Sequence, residues 1–118
     1  MPYLPLALIV LTAPVPAQSG ATIPAKFRGE WARTLADCRA RGGENSAGFT
    51  VAADMVVYYE DSDVMQQVRL TDPNTLTYKS KFVSADGEEP SEGTLRLSAD
   101  GKRMLGSTRE EDLIRCPG

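Results

Sequence analysis

From Phe49 to the C-terminus, apolar and polar positions alternate, and turn-forming residues interrupt the alternation at short intervals. That pattern predicts antiparallel strands with one buried face. Leu76, Tyr78, Ser80 and Phe82 share one side of such a strand, opposite Thr77, Lys79, Lys81 and Val83. Val64, Gln66, Val68 and Leu70 alternate with Met65, Gln67 and Arg69, while Leu95 and Leu97 are framed by Thr94, Arg96 and Ser98. Each set predicts a strand lining the same core. Met55 to Glu60 is apolar on both sides, through Val56 and Tyr58 on one and Val57 and Tyr59 on the other. It therefore reads as a central strand or one covered by the N-terminal segment. Asp72-Pro73-Asn74, Asp86-Gly87 and Asp100-Gly101 supply the turns, because Gly and Asn accept positive φ and Pro presets φ near its turn value. Leu113 to Cys116 completes the series.

Before Phe49 the period changes. Phe27, Trp31, Leu35 and Cys38 follow at helical spacing, with Pro24 placed to open a helix and Gly42-Gly43 to end it. Gly29 weakens a continuous helix, which leaves two short helical turns around an extended Trp31 as the other reading. In either version Phe27, Trp31 and Leu35 plug one end of the core. The whole reads as mainly β: a small antiparallel meander of six or seven strands, closed into a barrel or folded as a sandwich, with an N-terminal helical segment. A chain of 118 residues has room for one domain. It is expected over residues 24–118, after a flexible leader at 18–23.

Residues 4–11 form an uncharged apolar run, followed by Thr12-Ala13-Pro14-Val15-Pro16-Ala17 with small residues where a signal peptidase needs them. This reads as a secretory signal peptide over residues 1–17, too short to span a bilayer. Periplasmic or secreted localisation is expected, and no transmembrane segment after cleavage. Export in turn predicts that Cys38 and Cys116 form one disulfide, since oxidising compartments preserve such bonds. A redox or zinc role has no support, because the chain contains no Cys-x-x-Cys and no His.

The formal net charge is −3 and the pI is near 4.9. Lys26 to Arg41 nevertheless holds five basic residues against two acidic ones. The acidic balance argues against nucleic acid as a partner. The basic segment, with Arg28 and Arg33 as candidate contacts, could touch an anionic partner or lipid headgroups. The absence of His removes Ser-His-Asp and Cys-His catalysis. Carboxylates remain in three groups, Glu60-Asp61-Asp63, Glu88-Glu89-Glu92 and Glu110-Glu111-Asp112, all expected at strand ends and loops as solvated charge. No metal site, catalytic residue or cofactor is assigned.

Ile23-Pro24-Ala25-Lys26-Phe27-Arg28-Gly29-Glu30-Trp31, then Ala36-Asp37-Cys38, Val57-Tyr58-Tyr59-Glu60 and the terminal Arg115-Cys116-Pro117 resemble a group of small secreted proteins of alphaproteobacteria. That resemblance implies export and the disulfide, and brings no activity with it. Gly29-Glu30-Trp31 beside a meander is also similar to lipocalins and the lipocalin-like barrels of bacterial protease inhibitors. This likeness implies that Trp31 packs beneath a late Arg, either Arg109 or Arg115.

The resulting expectation is a monomeric, non-enzymatic binding module holding an envelope protein, glycan or small ligand. Trp31, Arg28, Arg33, Tyr58 and Tyr78 are its candidate contact residues. The alternatives are a lipocalin-like carrier with a cavity around Tyr58, Tyr78 and Phe82, and a carboxylate-based enzyme in which two acidic groups converge on a cleft.

Overall fold

The expected alternation becomes a single antiparallel sheet of eight strands in a computed structural model that describes residues 20–39 and 48–117. The strands are β1 (Gly29–Ala32), β2 (Phe49–Val51), β3 (Met55–Val57), β4 (Ser62–Asp72), β5 (Thr75–Ser84), β6 (Gly87–Arg96), β7 (Arg103–Met104) and β8 (Leu113–Arg115). Their order is β6-β5-β4-β3-β2-β1-β8-β7, so nearly every strand lies beside its neighbour in sequence, as short hairpin turns require. The sheet curls until its two end strands meet at one point. There Leu97 bridges Met104, and the Leu105 N–H donates to the Arg96 carbonyl at 2.7 Å. The result is a half-closed barrel.

The N-terminal segment adopts the second of its two readings. A 3₁₀ turn (Ala25–Phe27) leads into β1, and α1 (Leu35–Arg39) follows. Gly29 has a φ of +131°, a conformation that only glycine adopts readily and that breaks the helical run before Trp31. Phe27 and Trp31 are fully buried. Leu35 is not the plug its spacing suggests: the intervening strand resets the phase, and its side chain is 51% exposed. Of the expected leader, Gly20 accepts from the Val68 N–H and Ile23 donates to the Ala53 carbonyl, with Ile23 fully buried. From Gly20 onward the chain is held against the sheet. The signal segment over 1–17 and the Gly42-Gly43 stop lie outside the described residues.

Two expected strands change shape. In β4 the register with β5 slips between Met65 and Gln67. This β-bulge turns both Gln66 and Gln67 outward, so Asp63, Met65 and Val68 are the residues that face the core. The phase expected from Val64 and Gln66 is therefore reversed in the first half of the strand. The strand expected through Glu60 stops at Val57, because the Tyr58 N–H turns back to the Asp61 carbonyl and leaves Tyr59 53% exposed. β3 still sits in the middle of the sheet.

Ile23, Phe27, Trp31, Val51, Val56 and Leu76 form the centre of the core, joined by Val68, Leu95, Leu97, Met104 and Leu113 from the other strands. A second cluster gathers Ala32 with the Cys38–Cys116 disulfide, whose Cα atoms are 5.5 Å apart. The bond ties α1 to the end of β8, which pairs with β1. No helix among the described residues is long and apolar enough to cross a membrane.

Candidate functional site

Three regions hold the polar chemistry, and each follows from a local rule. The first lies on the inner face of β4 and β5. Alternation along β5 turns Leu76, Tyr78 and Ser80 inward, and β4 places Asp63 in the same layer. Asp63 is 4% exposed. Its carboxylate accepts from the Tyr58 hydroxyl at 2.7 Å, from Ser80 Oγ at 2.9 Å and, more weakly, from the Tyr78 hydroxyl at 3.5 Å. No Lys or Arg forms an ion pair with it among the described residues. Burial raises the pKa of both phenols above the ordinary tyrosine value, and the hydrogen bond and charge of Asp63 reinforce that shift. Both rings therefore stay neutral and act as donors. The cluster is a carboxylate saturated by hydroxyls, an arrangement that orients rings and stiffens a strand pair.

Asp63, expected with Glu60 and Asp61 as solvated charge, is instead buried. Starting the strand at Ser62 would have put Asp63 in phase with Met65, which is the signal that was available. Tyr58 and Tyr78, expected as ligand contacts, are engaged with Asp63. Tyr78 also lies across Gly93 on β6: a Cβ at that position would come within 2.5 Å of the Tyr78 hydroxyl oxygen. Gly93 is there because the ring needs its space.

The second region is the plugged end of the curl. Arg115 stacks over the Trp31 ring, 4.3 Å from its centroid, and donates to the carbonyls of Arg28 at 2.8 Å, Lys26 at 2.7 Å and Gly101 at 3.3 Å. The contact implied by the lipocalin likeness is thus made by Arg115 and not by Arg109. Trp31 Nε1 donates to the Phe27 carbonyl at 3.1 Å. Fully buried under Arg115, Trp31 offers no face for a ligand to stack on. Arg28 Nε donates to the Ile23 carbonyl, and Arg33 reaches the Glu110 carbonyl from an exposed position. Both cations knit the N-terminal segment to its surroundings.

The third region is the outside of the long β4–β6 blade and its free margin. A shallow groove of about 400 Å³ crosses the outer side, lined by Gln67, Arg69, Thr77, Lys79, Glu92 and Thr94. At the seam of the half-barrel, a second groove of about 420 Å³ separates Thr94 and Arg96 from Leu105, Gly106, Ser107 and Glu111. Glu88 and Glu89 stand at the start of β6, a strand end as expected, and Glu92 lies in its middle, while Glu111 lies across the seam. Glu88 pairs with Lys81 at 3.4 Å, Glu111 accepts from the Ser107 N–H, and Asp112 accepts from the Gly106 N–H. Among the described residues no set of acidic or sulfur side chains is placed to hold a metal ion.

Compared with known proteins, the chain matches no family model, no curated protein and no solved structure.

Proposed function

We propose that this chain is an exported, non-enzymatic binding module that engages its partner with its outer surface and seam. The observation carrying this reading is the filled interior. Ile23, Phe27, Trp31, Val56 and Leu76 have no exposed surface, and they occupy the concave side of the sheet where a carrier would keep its cavity. Two open grooves lined largely by polar side chains lie on the blade and at the seam. Export is supported by the Cys38–Cys116 disulfide, a bond that reducing compartments do not preserve, together with the signal-like run at residues 4–11.

The test uses purified, oxidised protein. Immobilised protein, incubated with envelope extract and a glycan panel, is expected to retain a macromolecule that excess free protein displaces, while native mass spectrometry finds no small ligand bound. A small apolar molecule retained one-to-one would favour the lipocalin-like carrier. Turnover that disappears on Asp63→Asn, or on neutralising Glu88, Glu89 and Glu92, would overturn the reading in favour of a carboxylate-based enzyme.

A further inference from the structure

The margin of the half-barrel points to one kind of partner. β6 is the end strand of the sheet, and its register with β5 is regular from Ser84↔Gly87 to Thr75↔Arg96. In an antiparallel pair, alternate residues of an edge strand turn both backbone groups away from the neighbour. Arg96 is one of these, because its carbonyl accepts from the Leu105 N–H. Counting back by twos, Thr94, Glu92, Pro90 and Glu88 share that orientation. Their carbonyls, and the N–H groups of Glu88, Glu92 and Thr94, turn away from β5. Pairing with β7 ends after Leu97 and Arg96, so among the described residues the edge has no partner for about 20 Å at the usual rise per residue.

Charge narrows what can fill it. Glu88, Glu89 and Glu92 stand along the edge strand and Glu111 lines the groove beyond Thr94, all four exposed, while Lys81 pairs with Glu88 and Lys79 lies opposite Glu92 on the neighbouring strand. A second copy of β6 would bring like charges together and would meet Pro90, which has no N–H to donate. An extended segment carrying Lys or Arg finds, among the described residues, backbone acceptors with no partner strand and the carboxylates of Glu89 and Glu92 at the same place. We infer that the seam is a docking edge where a basic, extended polypeptide segment of a partner protein adds as a strand alongside β6, between Glu88 and Thr94. This rests on the binding-module reading above and names the partner's chemistry and its mode of attachment.

The probe is a short peptide alternating Lys and Val, compared with one alternating Glu and Val, added to the full isotope-labelled chain. Amide exchange at Glu92 and Thr94 is expected to slow by about tenfold or more with the Lys peptide alone, in step with the occupancy of the edge. Replacing Glu89 and Glu92 by Gln should weaken binding about tenfold, and added salt should weaken it further. Thr94→Pro removes an outward N–H at an exposed position, so it should abolish the protection while leaving the thermal midpoint near that of the parent chain. Absence of protection, equal binding of the Glu peptide, or perturbed resonances confined to another surface would overturn the inference. If that happens while the chain still retains an envelope macromolecule, strand addition at β6 fails and the binding-module reading stands. If the chain retains nothing, both fall.

Discussion

Asp63 is the one buried charged side chain among the described residues, and single hydroxyls test its interactions. A hydrogen bond donated to a carboxylate contributes about 1.5–3 kcal/mol. Tyr58→Phe removes the 2.7 Å donor and should lower the unfolding free energy by that amount in urea, whereas Tyr59→Phe, at an exposed ring, should change it by less than about 0.5 kcal/mol. The pH dependence has a definite sign. Tyr58 and Tyr78 ionise less readily folded than unfolded, so their contribution is fully present below the unfolded tyrosine value near 10 and is lost as pH rises beyond it. Absorbance titration should therefore show these two phenols ionising only with unfolding. At this scale alternation alone put Tyr78 and Ser80 on the inner face. Asp63 escaped notice because an acidic residue beside Glu60 and Asp61 looks like solvated charge until the three hydroxyls that surround it are assembled from other strands.

At the scale of elements, spacing misleads wherever two periods coincide. Phe27, Trp31 and Leu35 are four apart, a step that returns to one side of a helix and also to one face of a strand. Trp31 is buried from a strand and Leu35 is exposed on a five-residue helix, so the shared spacing hid a change of element. β4 shows the reverse case, in which one inserted residue at the bulge reverses the phase. Deleting Gln66 removes that residue while leaving Met65 and Val68 on the inner face, and the variant should fold cooperatively with native-like exchange protection at β5. The disulfide is the element-scale tether. Replacing Cys38 and Cys116 together by Ser should cost about 2–5 kcal/mol, read from thermal unfolding, because the bond closes a 78-residue separation and restricts the unfolded chain.

Across the whole molecule, the curl is held at its plugged end and open along the seam. Arg115 joins the last strand to the 3₁₀ turn, the start of β1 and the Gly101 turn through its three carbonyl partners and the Trp31 ring. Lys at this position keeps the charge but loses the planar fork, so Arg115→Lys should destabilise by about 2–4 kcal/mol in chemical denaturation. By contrast, Arg109→Lys should be near neutral, since the guanidinium over Trp31 belongs to Arg115. The sequence by itself determined the mainly β character, the hairpin turns at Asp72-Pro73-Asn74, Asp86-Gly87 and Asp100-Gly101, and the pairing of the only two cysteines. These are local or exclusive choices: backbone sterics dictate turn residues, one buried face dictates alternation, and two cysteines allow a single intramolecular bond. Only the tertiary structure decided which Arg covers Trp31, that Asp63 is buried among hydroxyls, and that β6, the end strand, meets β7 at one end. Those outcomes depend on groups brought together from distant parts of the chain by the curl of the sheet, and neither period nor composition encodes that curl.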